Sequence, residues 1–247
     1  MILGEVRICV ETVKSILGRI DGGRILDVAT GDGAFIDLLT GNLKSYDTIV
    51  GIDTDVEAIE ASAAQKANAK VSYRRMSGEA IDYPDGCFDT VSLSNSLHHL
   101  ANIDRTIAEM LRVLRKGGTI IINELYIDGQ NEKQMTHMLF HHFQADIDTL
   151  LGITHGKTFH KREILDIVER SGIRDYVTVE HENEAYNTYV NFDGVAQRYK
   201  NFLDKIAGYP EYDAMKARYD SLLERLRTVG IAFTSQLMVV AKKSDCL

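Results

Sequence analysis

Glycines and acids alternate through Asp27-Val28-Ala29-Thr30-Gly31-Asp32-Gly33-Ala34-Phe35. Gly31 and Gly33 permit a tight turn and let a ligand come close to the backbone. A turn that opens a helix in this way can hold a diphosphate on the first helical amides. Asp27 and Asp32 oppose that use, because anionic side chains repel phosphates. The third glycine of a dinucleotide-binding turn is also missing, with Ile36 in its place. The stretch suits a ligand carrying positive charge. Asp53 follows Gly33 at about 20 residues, the spacing at which an acid can accept hydrogen bonds from ribose hydroxyls. Asp53, Thr54 or Asp55 could equally cap a following helix.

A second group of residues could move protons. His98 and His99 stand side by side, and Glu124 and Tyr126 follow an apolar run. Five of the eight histidines lie between His137 and His160: His137, His141, His142, His155 and His160. On a helix, His137 and His141 share a face, and His142 and Asp146 share another. Three readings stay open for this cluster. It is a polar helix face, or the lining of a substrate site with His141 or His142 as base, or a metal site built from His137, His141 and His155 or His160. No HExxH motif and no nearby cysteine supports the last, so no metal is assigned.

These residues need a frame that brings them together. Apolar runs at 24–29, 48–53, 71–76, 88–94 and 119–123 read as strands, and amphipathic stretches at 35–39, 55–68 and 103–114 read as the helices between them. A Lys116-Gly117-Gly118 stop ends the last helix. Strands apolar on both faces imply a parallel sheet covered on both sides, with ligands at its carboxyl edge. Helices are expected over 131–151 and 161–171, and a pair over 192–228 broken near Gly208-Tyr209-Pro210. Strands are expected at 177–182 and 234–242. Segments 130–159 and 191–230 are expected to cap the ligand edge. The first 20 residues read as an amphipathic helix rather than a signal peptide.

The 247 residues, 45% apolar and 26% charged, suit one large domain with its own core. The net charge of −8 and the lack of a basic stripe argue against nucleic acid. No apolar run suits a membrane span. Cys9, Cys87 and Cys246 are too scattered for a disulfide framework, which fits a cytoplasmic setting. Homodimerisation is left open.

Four blocks, LDVATGDGAF, GIDTD, SGEAIDYPDGCFDTVSLSNSLHHL and LRVLRKGGTIII, occur in this order. Across about residues 20–125 they resemble the successive motifs of class I S-adenosylmethionine-dependent methyltransferases. Ala29 stands where that family has its first turn glycine. The resemblance implies a doubly wound, Rossmann-like, seven-stranded α/β sheet, mostly parallel with the last strand antiparallel, in a single domain over 1–247. It implies S-adenosylmethionine as cofactor. Asp27, Ala29, Gly31 and Gly33 would border its methionine part and ribose, and Asp53 would hold the ribose hydroxyls. Thr54, Glu79 and Ala80 would lie by the adenine, and Ser94 and Asn95 by the methionine part. Leu97 to His99 would lie close to the reacting methyl.

The activity this implies is methyl transfer to a small-molecule acceptor, with His99, Glu124 and His142 as candidate catalytic groups. Two alternatives remain: a non-catalytic S-adenosylmethionine-binding protein and a nicotinamide-dependent oxidoreductase. The acid-rich turn without a third glycine counts against the second.

Overall fold

The structure is a computed structural model that describes residues 12–182 and 191–244. Cys9, Cys246 and most of the expected first helix lie outside the described residues. What is described of that helix is α1 (Val13–Leu17), capped by Thr12.

Seven strands form one sheet: β1 (Arg24–Val28), β2 (Thr48–Asp53), β3 (Val71–Arg75), β4 (Phe88–Ser94), β5 (Leu114–Leu125), β6 (Val177–His181) and β7 (Gln236–Lys242). Their order is β3-β2-β1-β4-β5-β7-β6. The pairs β3–β2, β2–β1, β1–β4 and β4–β5 are parallel. Strand β7 enters antiparallel between β5 and β6. The expected doubly wound sheet, with an antiparallel last strand, is what the chain forms.

Alternate residues of each strand feed opposite faces, as the pleat requires. On one face Leu26, Val50, Val91 and Ile120 pack with Ile107 and Met110 of α4 (Ile103–Val113) and with Ile164 and Val168 of α6 (Lys161–Arg170). On the other, Ile25, Ile49 and Ile121 pack with α1 and with Phe35, Ile36 and Leu39 of α2 (Ala34–Asn42). Helix α3 (Val56–Lys66) joins β2 to β3.

Strand β5 differs from expectation by starting at Leu114 rather than Thr119. Phe88 pairs with Leu114, and Thr90 then pairs with Thr119, so residues 115–118 arch out of register. Gly117, at φ 67°, lets the arch turn. The glycines therefore make a bulge inside a strand instead of only a stop after a helix.

Among the described residues three helices stand apart from the sheet and share their own core. They are α5 (Glu132–Leu150), α7 (Phe192–Asp204) and α8 (Tyr212–Thr228). Phe140, Phe143 and Ile147 of α5 meet Tyr199 and Leu203 of α7 and Tyr219, Leu222 and Leu226 of α8. Asn131 begins α5 with a capping box, its side chain accepting from Lys133 N and Gln134 N while Gln134 reaches back to Asn131 N. Among the described residues no helix is long and apolar enough to cross a membrane.

Candidate functional site

Three turns at the carboxyl edge of the sheet build the site. In the first, Ala29, Gly31 and Gly33 all take positive φ, at 54°, 50° and 74°. The strain at Ala29 costs about 1–2 kcal/mol, since a Cβ crowds the following carbonyl in this region. A Cβ at Gly33 would lie 2.6 Å from the Tyr73 hydroxyl, so only glycine fits. At Gly31 none of the described residues lies within 4 Å of such a Cβ, which leaves open space beside the backbone.

Asp27 lies buried beneath this turn. Ser92 Oγ donates to it at 2.6 Å and Thr30 Oγ1 at 2.7 Å. Burial pushes its carboxyl up to about 6 despite these bonds. A buried carboxyl close to neutral pH gains from a cationic neighbour.

Asp53 joins the first and second turns. Its Oδ2 accepts from Gly31 N at 2.9 Å and its Oδ1 from Asp55 N at 3.0 Å. The cap of α3 is Asp55, which accepts from Glu57 N and Ala58 N. Asp53 is thus positioned by the backbone and keeps lone pairs for a ligand.

The third turn follows β4. Asn95 holds φ 49°, and its buried Oδ1 has no hydrogen-bond partner among the described residues. A buried acceptor without a donor costs about 1–3 kcal/mol, and a ligand donor would relieve that. Beyond it, the single 3₁₀ turn Leu97–His99 carries both histidines.

A cavity of 800 Å³ opens on these turns, within the range of about 300–1,000 Å³ usual for ligand sites. Its wall includes Asp27, Ala29, Gly31, Asp53, Thr54, Ser94, Asn95 and His99. A smaller cavity of 240 Å³ shares Ala29, Asp53, Thr54 and His99 with it and adds Ser77, Gly78 and Glu79. Glu79 also accepts from Asn102 N, tying this wall to the start of α4. Two expected residues have other places. Gly33 turns the chain against Tyr73, and Ala80 is exposed just past the wall that Gly78 and Glu79 form. Ile153, Thr154, Arg198 and Gln236 complete the large cavity and were not anticipated. Arg198 is one charge on an otherwise ordinary α7 surface, and no local pattern marks it.

The histidines separate into distinct environments. His98 is buried, and its Nδ1 lies 3.0 Å from Glu124 Oε1. Glu124 is fully buried, with Leu97 N donating to Oε2 at 2.8 Å and Leu125 N to Oε1 at 3.0 Å. Both its oxygens are engaged, so it fixes the 3₁₀ turn and the His98 ring. His155 is buried with Nδ1 2.7 Å from Asp148 Oδ2, and its Nε2 is 3.4 Å from His141 Nε2. The rings of His99 and His98 are 4.2 Å apart, and those of His99 and His155 4.1 Å.

The remaining histidines lie elsewhere. His142 Nε2 accepts from Thr158 N, away from the cavity wall. Its expected partner Asp146 pairs with Arg218 and Lys157. His137 meets Thr234 Oγ1 and the Phe233 ring. His160 pairs with Asp128 at the surface. Loss of surrounding water holds His99, His137, His141 and His142 below the ordinary imidazole range.

A family model described as a methyltransferase domain matches residues 26–122, the stretch that supplies all three turns. A ubiquinone/menaquinone biosynthesis C-methyltransferase of Geotalea uraniireducens is 33% identical over 109 residues, which cover 42% of this chain and 46% of that protein. The chain spans about half the length of the curated relatives it matches. Two solved structures share the fold across 94% of the chain. A Bacillus halodurans protein assigned as a methyltransferase does so at TM-score 0.58 and 17% identity, with 97% of its own length covered. The [4+2]-cyclase SpnF does so at TM-score 0.58 and 19% identity, with 78% covered. At these identities the structures speak for the fold alone. Residues 26–122 match a methyltransferase domain, and the ordered motifs and the sheet order agree with the class I S-adenosylmethionine-dependent methyltransferase fold.

Proposed function

We propose that the protein transfers a methyl group from S-adenosylmethionine to a small-molecule acceptor enclosed between the sheet edge and the helical cap. One observation carries this reading: a single cavity takes in the acid-lined turns of the matched region, His99, and residues 153, 154 and 198 of the later segments. The turns fit a cationic, ribose-bearing ligand. The open space at Gly31, the unpartnered Asn95 Oδ1 and the buried Asp27 each favour such a guest.

When bound, the cofactor supplies a methyl group already activated on a sulfonium. The chain's own task is then positioning and proton handling. Asp53 holds the ribose hydroxyls, and the Gly31 turn admits the ligand against the backbone. Thr54 and Glu79 border the adenine, with Ser94 and Asn95 facing the methionine part. His99 takes the acceptor proton, as the histidine in both cavity walls. Glu124 acts through the 3₁₀ turn, and His142 through the 154–160 loop, as positioning groups.

The acceptor does not carry over from the quinone methyltransferases. The family match ends at residue 122, before the cap that meets the acceptor begins. The acidic net charge and the enclosing cap support a small molecule over a nucleic acid. A second reading, cofactor binding without transfer, draws on the shared fold of the [4+2]-cyclase.

Thermal-shift measurements with S-adenosylhomocysteine, NAD and NADP test the proposal. Stabilisation by S-adenosylhomocysteine alone is expected, and stabilisation by NAD alone would overturn it. Transfer of a labelled methyl into fractions of a metabolite extract then separates turnover from binding.

A further inference from the structure

Three imidazoles from three separate segments converge beside the cavity. His98 comes from the 3₁₀ turn after β4, His141 from the middle of α5, and His155 from the loop after α5. One nitrogen of each lies within 4.8 Å of those of the other two. Their ring centroids are 4.8 to 5.5 Å apart.

The hydrogen bonds set the free nitrogen of two of the three rings. An ionised carboxylate only accepts, so His98 Nδ1 gives its hydrogen to Glu124, and His155 Nδ1 gives its hydrogen to Asp148. In a neutral ring the other nitrogen, Nε2, then presents a lone pair. The Nε2 atoms of His155 and His141 face each other at 3.4 Å. With its hydrogen on Nδ1, His141 presents a third lone pair, and a cation between the three rings would take all of them.

The geometry points to a divalent transition metal held by His98, His141 and His155, with Glu124 and Asp148 orienting two of the ligands. Zinc–imidazole bonds of about 2.0–2.1 Å place neighbouring ligand atoms of a tetrahedron about 3.4 Å apart, which is the His141–His155 separation. A carboxylate on the far nitrogen of a ligating histidine is the recurrent way to set its tautomer and ring plane. The set is all imidazole, which suits zinc, copper, nickel or iron(II) over magnesium or calcium. It differs from any set that helical spacing suggests: His137 and His160 are absent, and His98 joins from across the sheet.

Three protein ligands leave one position open, the arrangement of reactive rather than structural sites. The His99 ring lies tilted against both His98 and His155 and lines the cavity, so the site borders the space where the acceptor enters. Resting on the methyl-transfer reading, the open position takes a hydroxyl or thiol of the acceptor. The bound group gives its proton to the His99 ring that lines the cavity. The resulting anion forms the new bond to the methyl carbon, and the broken S–C pair stays on the cofactor sulfur.

The test uses the whole chain without a histidine tag, loaded with Zn²⁺ or Co²⁺ and desalted. One metal per chain is expected, with the visible absorption of a tetrahedral cobalt(II) centre. His141→Ala should lower affinity at least tenfold, and Asp148→Asn about 10–100-fold through the ring it orients. His160→Ala, at the surface, should leave occupancy unchanged. Melting curves identify any variant that fails to fold, and Asp148→Asn keeps the core volume if His141→Ala does not. Binding of less than about 0.1 equivalent by the loaded wild type would overturn the site. Full occupancy in folded His141→Ala and Asp148→Asn would overturn it as well. S-adenosylhomocysteine stabilisation is measured in parallel. Its absence with metal retained would remove the methyl-transfer reading and leave the metal site standing.

Discussion

The matched region and the histidine centre are built by different rules. Each residue of the matched turns lies at the end of the strand that carries it or just past it: Gly31 after β1, Asp53 at the end of β2, Asn95 after β4. Their geometry is backbone geometry, set by turns and left-handed residues. The histidine centre has no such local rule. His98, His141 and His155 meet only because α5 packs over the sheet edge and the following loop returns to it, with Gly156 N donating to His98 O at 2.6 Å. One half of the site is written into short stretches of chain, and the other exists only in the tertiary fold.

Perturbations should therefore separate the halves. The largest effect is expected at His99, which touches both. His99→Asn should lower kcat by about 10²–10⁴ if the ring removes the acceptor proton. Cofactor KM should change little, and an unchanged kcat would reduce His99 to cavity wall. Next comes the cap core. Phe143 is fully buried, and Phe143→Ala should cost about 3–5 kcal/mol in denaturant unfolding. S-adenosylhomocysteine affinity should survive in the folded fraction, and its loss would show that the halves are not separable. Asp53→Ala should weaken S-adenosylhomocysteine about 100-fold by calorimetry, as two hydrogen bonds to a charged group are removed.

The Glu109–Arg112 pair gives a smaller, pH-dependent effect. Arg112 Nε and an Nη donate to the two oxygens of Glu109 at 2.9 and 2.8 Å, and Ile81 N donates at 2.9 Å. The Arg112 guanidinium holds the carboxyl at about 2, below its usual 4.5. A lowered carboxyl stabilises the fold above the unfolded value, and that gain is lost as pH falls from about 4.5 through about 2. Glu109→Gln should flatten this part of the stability curve and cost about 1–2 kcal/mol at pH 7. Smallest is Ala29→Gly, which relieves the left-handed strain and should raise stability by about 1 kcal/mol with cofactor affinity retained. A loss of affinity would give the Ala29 methyl a role at the cavity wall.

Much of the fold was legible because its signals are local. The limits of β2 and β4 match the apolar runs at 48–53 and 88–94, since each run ends at a polar turn. The start of β5 was not, because a glycine pair reads equally as a helix stop or a bulge until a partner strand sets the register. Asp27 near the end of β1, Asp53 at the end of β2 and Asn95 just after β4 were legible from their places at strand ends. The grouping of the histidines was not. Helical spacing pairs His137 with His141, yet α5 turns His137 toward Phe233 and His141 toward His155. Arg198 and Thr154 reach the cavity through the docking of α7 and the 151–160 loop, which leave no periodic trace.

The place of β7 has a consequence for how the molecule assembles. Glu124 pairs with Leu237 and Asn123 with Met238, and Asn123 Nδ2 donates to Gln236 Oε1 at 2.5 Å. Everything from α5 to α8 lies between these partners in sequence, so the β5–β7 pairing closes one long loop that contains the whole cap together with α6 and β6. Closing it is an entropic cost met late, and contacts this distant along the chain slow folding. Until β7 docks, the edge of β5 stays open to pairing by any strand that reaches it. A chain leaving the ribosome must hold that slot through the synthesis of both cap segments, which makes β5 the stretch where a chaperone would have most to protect.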